Sequence, residues 1–200
     1  MAKASRRRRW RCWYGPVPAS DSRRVFFALW PDRAVAARLA ELALTAHALC
    51  GGRMMRPETL HLTLAFIGDV ADARIESLRQ AASLVSAEAF SLGLDRFGCW
   101  RRKGIVWAGC SEPPLPLAAL AGQLGERLSA AGFALDARGF AAHLTLLRDA
   151  RCLPLPAFEP IAWPVGEFVL AESQRSASGA GYTLIGRWPL TLIQPGIVRL

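Results

Sequence analysis

Residues 61–64 read HLTL, and residues 143–146 read HLTL again. The chain has 200 residues and only three histidines, so two of the three head the same four-letter word, 82 positions apart. On a β-strand, residues i and i+2 point to one face and residues i+1 and i+3 to the other. Each copy therefore divides its side chains cleanly. His61 and Thr63 face one way and Leu62 and Leu64 the other, as do His143 and Thr145 against Leu144 and Leu146. The leucines anchor each strand on a core, which leaves an imidazole and a hydroxyl per strand to line the opposite face.

Outward from these words the chain repeats a longer pattern. RVFFALW (24–30) reads as a buried strand, Pro31 stands where a helix can begin, and Val35, Leu39, Leu42 and Ala46 keep helical spacing up to Gly51 and Gly52. The HLTL strand follows, then a helix over 71–88 and a hairpin whose strands, 90–100 and 104–110, flank the turn RRK. The succession then runs again. GIVWAGC (104–110) is a strand, 114–132 a helix closed by Gly132, AAHLTLLR (141–148) a strand, and 168–173 with 182–190 a hairpin. Val25 to His61 is 36 residues and Ile105 to His143 is 38; His61 to Phe90 is 29 and His143 to Phe168 is 25. Near-equal spacings point to a duplicated α+β unit of mostly antiparallel strands, with the two HLTL strands meeting near a pseudo-twofold axis. The second copy lacks the helix after its motif, because RCLPLPAFEP (151–160) is too rich in proline.

Composition narrows the class. No apolar run approaches the roughly 18–20 residues needed to cross a bilayer, which predicts a soluble protein with no membrane partner. The five cysteines, Cys12, Cys50, Cys99, Cys110 and Cys152, are odd in number and widely scattered, so they signal neither a disulfide framework nor a zinc knuckle and suit a reducing, cytoplasmic setting. His47 and Cys50 lie three apart on a helix without further ligands nearby and read as ordinary helix residues. The net charge of +9 is concentrated in residues 1–24, which carry +7 and leave only +2 for the rest. Residues 1–23 form a basic arm, read as a disordered extension; no apolar segment follows its arginines, so a secretory signal is not expected. Its functional alternative is salt-sensitive affinity for nucleic acid. Residues 24–200 form a single bilobal domain.

Two imidazoles and two hydroxyls facing a shared groove suit acid/base chemistry on a phosphodiester. Imidazole titrates near pH 6.5, so one ring can take a proton while the other gives one. Threonine hydroxyls donate to an anion without adding charge. Neither motif contributes a carboxylate, so no metal or other cofactor is expected. A binding module that uses the histidines only to hydrogen-bond or stack on RNA is the competing class.

The stretches RVFFALWPD, HLTLAFIGDV, GIVWAG, AAHLTLLRDA and GYTLIGRWPL, covering about residues 24–190, resemble the two-histidine (2H) phosphoesterases, and within them the bacterial RNA 2′,3′-cyclic phosphodiesterases, also called 2′,5′ RNA ligases. The resemblance implies a bilobal α+β fold with two mostly antiparallel sheets lining a central groove and helices outside. It implies hydrolysis of RNA 2′,3′-cyclic phosphate ends, tRNA fragments among them, to 2′-phosphomonoesters by a monomeric enzyme. His61 would donate to the leaving 3′-oxygen, His143 would activate water, and Thr63 and Thr145 would hold the non-bridging oxygens. Ligation, or action on another cyclic phosphate, would share these motifs. Arg148 matches an arginine that follows the second motif in the family. Strict alternation places it on the face opposite His143, so it reaches the groove only where the strand bends or ends. Phe66 shares the parity of Leu62 and Leu64 and is expected in the core. Tyr182 and Trp188 are expected as packing residues, and Arg101, Arg102 and Lys103 as a solvated tip able to steer RNA.

Overall fold

The computed structural model describes residues 22–135, 140–176 and 179–191; residues 1–21 of the basic arm lie outside them, whereas Ser22 and Arg23, expected in the arm, already pair with Ala71 and Val70 in the sheet. The first strand, β1 (Ser22–Leu29), is buried from Val25 to Leu29 and leads through Pro31 into α1 (Arg33–Cys50). Asp32 caps α1, its carboxylate accepting from the Val35 N–H at 2.8 Å, and Gly51, at φ 63°, ends it. A two-residue strand, β2 (Arg53–Met54), precedes the first motif strand, β3 (Leu62–Ala71).

The following helix, α2 (Ile75–Ser83), is half as long as the spacing predicts. Both ends are claimed by strand pairing: Ala71 is held opposite Ser22 in the sheet, while Ala87 and Ala89 exchange backbone hydrogen bonds with Thr191. The predicted strand 90–100 is likewise two strands, β4 (Phe90–Leu94) and β5 (Arg96–Trp100), in different sheets. Asp95 sits at the break, its carboxylate accepting from the Ser111 N–H at 2.7 Å. Then come β6 (Ile105–Gly109), α3 (Leu115–Ala130), the second motif strand β7 (Leu144–Arg148), β8 (Ile161–Val165), β9 (Glu167–Ser176) and β10 (Gly179–Pro189).

The fold is α+β, and every strand pairing within its sheets is antiparallel. One sheet runs β10-β9-β1-β3-β7-β6-β5, with β2 beside β7, and a second pairs β4 with β8. The duplication is legible in this order. About the β3–β7 junction, β1 corresponds to β6, α1 to α3, β4 to β8 and β5 to β9. Each half gives one strand to the other, since β5 pairs with β6 and β9 with β1. The helices cross as well, α1 packing under β7 and α3 under β3.

The leucines of both motifs are buried in the main core with Phe27, Leu39, Leu120 and Leu124. A smaller cluster, Phe26, Ala28, Val169 and Ala171 with Trp30, Tyr182 and Leu184 against it, lies apart from that core. No helix among the described residues is long and apolar enough to cross a membrane. The cysteines depart from expectation. Cys99 on β5 and Cys152 after β7 form a disulfide with Cα atoms 5.8 Å apart, while Cys50 and Cys110 are buried and free. The spacing argument for a reducing setting therefore loses its ground, because pairing depended on two segments 53 residues apart becoming neighbours.

Candidate active site

The motif strands touch at one residue pair, Leu62 opposite Leu144. Because the strands are antiparallel, that register carries His61 toward Thr145 and His143 toward Thr63. A small pocket of about 90 Å³ is lined by all four of these side chains together with Met55, Thr59 and Arg148. Every site residue expected from the sequence thus borders one space.

Arg148 reaches it through a β-bulge. Against β6, Thr145 pairs with Trp107 while Leu147 pairs with Val106, so β7 carries one extra residue at Leu146. Leu146 and Leu147 are both buried, and the alternation resumes shifted by one. Phe66 departs from expectation for the same kind of reason: β3 carries an extra residue against β1 at Leu64, just before it. The ring is 43% exposed instead of buried, and it lines a second, larger cavity.

The two imidazoles are held alike. His61 Nδ1 lies 2.7 Å from the Thr59 carbonyl and His143 Nδ1 lies 2.7 Å from the Ala141 carbonyl, each two residues back. A carbonyl only accepts, so each Nδ1 carries the hydrogen and each Nε2 is left free to exchange a proton. Their surroundings differ. His61 is enclosed by aromatic rings: Trp30 stacks on it at 5.3 Å and 12°, Phe26 lies at 4.7 Å, and Tyr182 meets it edge-on at 5.1 Å. His143 meets Trp100 at 4.4 Å and 65°.

Burial pushes His61 down to about 4; the Thr59 carbonyl pulls the other way, and Arg148 and His143 lower it further. Burial also lowers His143, opposed by the Ala141 carbonyl and aided by Arg148 and Lys103. Both rings are therefore harder to protonate than free imidazole. An anion seated between them would reverse much of that shift.

The larger cavity, about 840 Å³, opens beside His143, Thr63, Thr145 and Arg148. Phe66, Trp100 and Phe140 give it apolar walls, and Arg101, Arg102 and Lys103 line it as a short 3₁₀ turn. Sequence reasoning missed Trp30, Trp100 and Phe140. Trp30 had a signal, since it follows the buried Leu29 and so takes the opposite parity, while Phe140 follows a segment outside the described residues. Tyr182 is as much a wall of the His61 site as a packing residue. Trp188 does pack, stacked on Phe168 at 5.3 Å. No three His, Cys, Asp or Glu side chains among the described residues gather as a metal site.

A cleft at the junction of a duplicated sheet, lined by paired histidines, paired threonines and an arginine, is the architecture of a two-histidine phosphoesterase. The comparisons narrow it. The LigT like Phosphoesterase family matches residues 29–107. The RNA 2′,3′-cyclic phosphodiesterase of Escherichia coli K12 is 34% identical over 175 residues, covering 86% of this chain and 99% of that protein. A protein of the same name from Archaeoglobus fulgidus is 29% identical over 134 residues, covering 66% and 75%. The structure of E. coli LigT complexed with 3′-AMP superposes with a TM-score of 0.79 at 32% identity, over 86% of this chain and 99% of that one. The chain belongs to the LigT-like phosphoesterase family.

Proposed function

We propose that the chain hydrolyses RNA 2′,3′-cyclic phosphate ends to 2′-phosphomonoesters, with His61 and His143 as the acid/base pair. The observation that supports this reading is the small pocket, where both histidines, both threonines and Arg148 converge without a carboxylate. Thr63, Thr145 and Arg148 hold the non-bridging oxygens of the cyclic phosphate. His143 Nε2 takes a proton from water as its oxygen bonds to phosphorus. His61 Nε2 gives its proton to the 3′-oxygen as the P–O3′ bond breaks. The pair is left with its proton exchanged and resets through solvent. The step needs no metal or other cofactor, because the imidazoles supply both proton transfers and the arginine and hydroxyls supply the anion site.

The larger cavity supports RNA as the substrate class. Its aromatic walls suit a nucleoside, and the cationic turn 101–103 suits the phosphates that precede the cyclic end. Substrates of this kind include tRNA fragments. RNA fragments as substrate, and not the cysteines, support assigning the activity to a single chain in the cytoplasm, with residues 24–200, preceded by Ser22 and Arg23 of β1, as one catalytic domain and the residues before them as an appended basic arm.

The test is incubation with EDTA and a short RNA ending in a 2′,3′-cyclic phosphate. The expected product is the 2′-phosphate, with turnover reduced on the order of 10² to 10⁴ in His61→Ala and in His143→Ala. Unchanged turnover in His143→Ala would overturn the mechanism. Binding without turnover in the unsubstituted protein would make it an RNA-binding module, and joining to a 5′-hydroxyl end would make ligation the activity.

A further inference from the structure

The two histidines share a tetrapeptide and share a hydrogen bond to the carbonyl two residues back, so neither feature tells them apart. The difference lies on the neighbouring strands. Leu29 of β1 is paired with Leu62 and Ala108 of β6 with Leu144, so the next residues, Trp30 and Gly109, occupy equivalent places beside the two histidines. In the first half that place holds an indole lying flat on His61, 12° from parallel at 5.3 Å. In the second half it is closed to any side chain, because a Cβ on Gly109 would meet the Trp107 ring at 2.7 Å and the Ala142 carbonyl at 3.1 Å. His143 instead has Trp100 steeply tilted to it, at 4.4 Å and 65°, and among the described residues no ring stacked parallel on it.

From this asymmetry, and resting on the function proposed above, we propose that Trp30 is a positioning residue that makes His61 the proton donor of the pair. The stack acts in two ways. It fixes the imidazole plane so that Nε2 enters the small pocket. It also sets the face of the indole, the ring best suited to a cation, against the imidazolium that a donor must carry. The imidazole otherwise resists that charge, since burial lowers it. The Thr59 carbonyl on Nδ1 opposes this, but His143 has the same bond from Ala141, so it does not tell the two apart, and the groups facing the ring offer little more. Those groups are the Arg148 guanidinium and the His143 imidazole from the second half and the Tyr182 phenol from β10. The guanidinium and the imidazole both oppose a second positive charge, and Phe26 closes the remaining side with a hydrocarbon ring. Trp30 is thus the wall of this enclosure best able to favour the charged form. In the apposed half a glycine stands where Trp30 stacks, so His143 has no parallel indole on that face, which suits a base that starts neutral.

The experiment compares Trp30→Leu, which keeps an apolar wall without a π-face, with Trp30→Phe, which keeps a ring. Two readouts are used, kcat against pH on a 2′,3′-cyclic-phosphate RNA and the titration of the His61 imidazole followed by NMR. In Trp30→Leu, kcat should fall about threefold to thirtyfold, the range spanned by the loss of one cation–π contact. The His61 titration should move to lower pH while that of His143 stays in place, and Trp30→Phe should restore most of both. If Trp30→Leu titrates His61 as the unsubstituted protein does, or if Trp30→Phe is as impaired as Trp30→Leu, the proposal is overturned. A raised KM at unchanged kcat and titration would also overturn it, making Trp30 a substrate contact. Absence of turnover in the unsubstituted protein would reject the enzymatic reading alone, because the NMR titration reads the Trp30–His61 coupling without substrate.

Discussion

Each motif histidine commits its Nδ1 hydrogen to a carbonyl two residues back, so proton exchange is left to Nε2 in the proposed reaction. The pair borders one small pocket, and the direction of its titrations sets the pH behaviour expected of the proposed reaction. Acid/base catalysis by the pair would need one ring charged and one neutral, and both rings are pushed below the ordinary imidazole value, His61 to about 4. A profile of kcat/KM against pH, which reports the free enzyme, is therefore expected to be bell-shaped with its maximum below about 6.5. A flat profile up to pH 9, with chemistry rate-limiting, would remove the acid/base pair from the mechanism. Arg148 tests the same site from its cationic side. Its charge lowers both histidines, so Arg148→Met should shift the bell to higher pH. The same change removes a charged hydrogen-bond donor from the phosphate, worth about 1.5–3 kcal/mol, so kcat/KM should drop roughly 10- to 100-fold. Arg148→Lys should return the bell to its place but recover only part of the rate, since a point charge cannot reproduce a bidentate fork. A bell that stays in place in Arg148→Met would show that the guanidinium does not act on the histidines.

At the scale of the elements, the difference between what the sequence discloses and what it hides lies in parity. Alternation in HLTL correctly sends the histidines and threonines to one face, because a regular strand keeps period two. It misplaces Phe66, and leaves Arg148 conditional, because each extra residue in a strand shifts every later side chain by one, and no residue type announces a bulge at Leu64, Ile67 or Leu146. Asp95 likewise hid a strand break inside an apolar run, and the Cys99–Cys152 bond hid behind two elements that become neighbours only in the folded sheet. Apart from Trp30, whose parity opposes that of the buried Leu29, the aromatic walls were hidden for the same reason: their rings come from five separate segments. What holds the end of β7 in place can be tested at Gly52. It has φ +85°, and a Cβ there would lie 2.6 Å from the Arg148 carbonyl oxygen and 2.7 Å from Ala150 Cα. Gly52→Ala should therefore cost at least about 1–3 kcal/mol in a thermal or denaturant melt, the scale of a strained backbone position, and should also lower kcat/KM by displacing Arg148. Gly51 is the control. Its φ is +63° but no atom lies within 4 Å of an added Cβ, so Gly51→Ala should lose stability and leave kcat/KM close to its original value. Equal loss of activity in both variants would detach the site from this contact.

Across the whole molecule, the duplication visible in the sequence is not a pair of lobes that merely lean together. The halves exchange parts. β5 leaves the first half to pair with β6, β9 leaves the second to pair with β1, and α1 and α3 each pack beneath the other half's motif strand. His61, Thr63, His143 and Thr145, the quartet proposed to act on the phosphate, come together at the β3–β7 seam, where a single residue pair joins the two halves of the sheet. Separate halves would therefore lose more than an interface. Residues 22–102 alone would leave β5 without its partner and the leucines of β3 without α3, and residues 103–191 would leave β9 and β7 without β1 and α1. The large, apolar surface so exposed cannot be offset by what remains in a unit of this size. Prepared under reducing conditions, so that the Cys99–Cys152 bond does not join them, each fragment alone should show no cooperative melt, while an equimolar mixture should regain antiparallel sheet signal and phosphodiesterase activity together. A cooperative melt from either fragment by itself would mean that the exchange of strands and helices is incidental to folding, and that the groove is an interface between two self-sufficient domains.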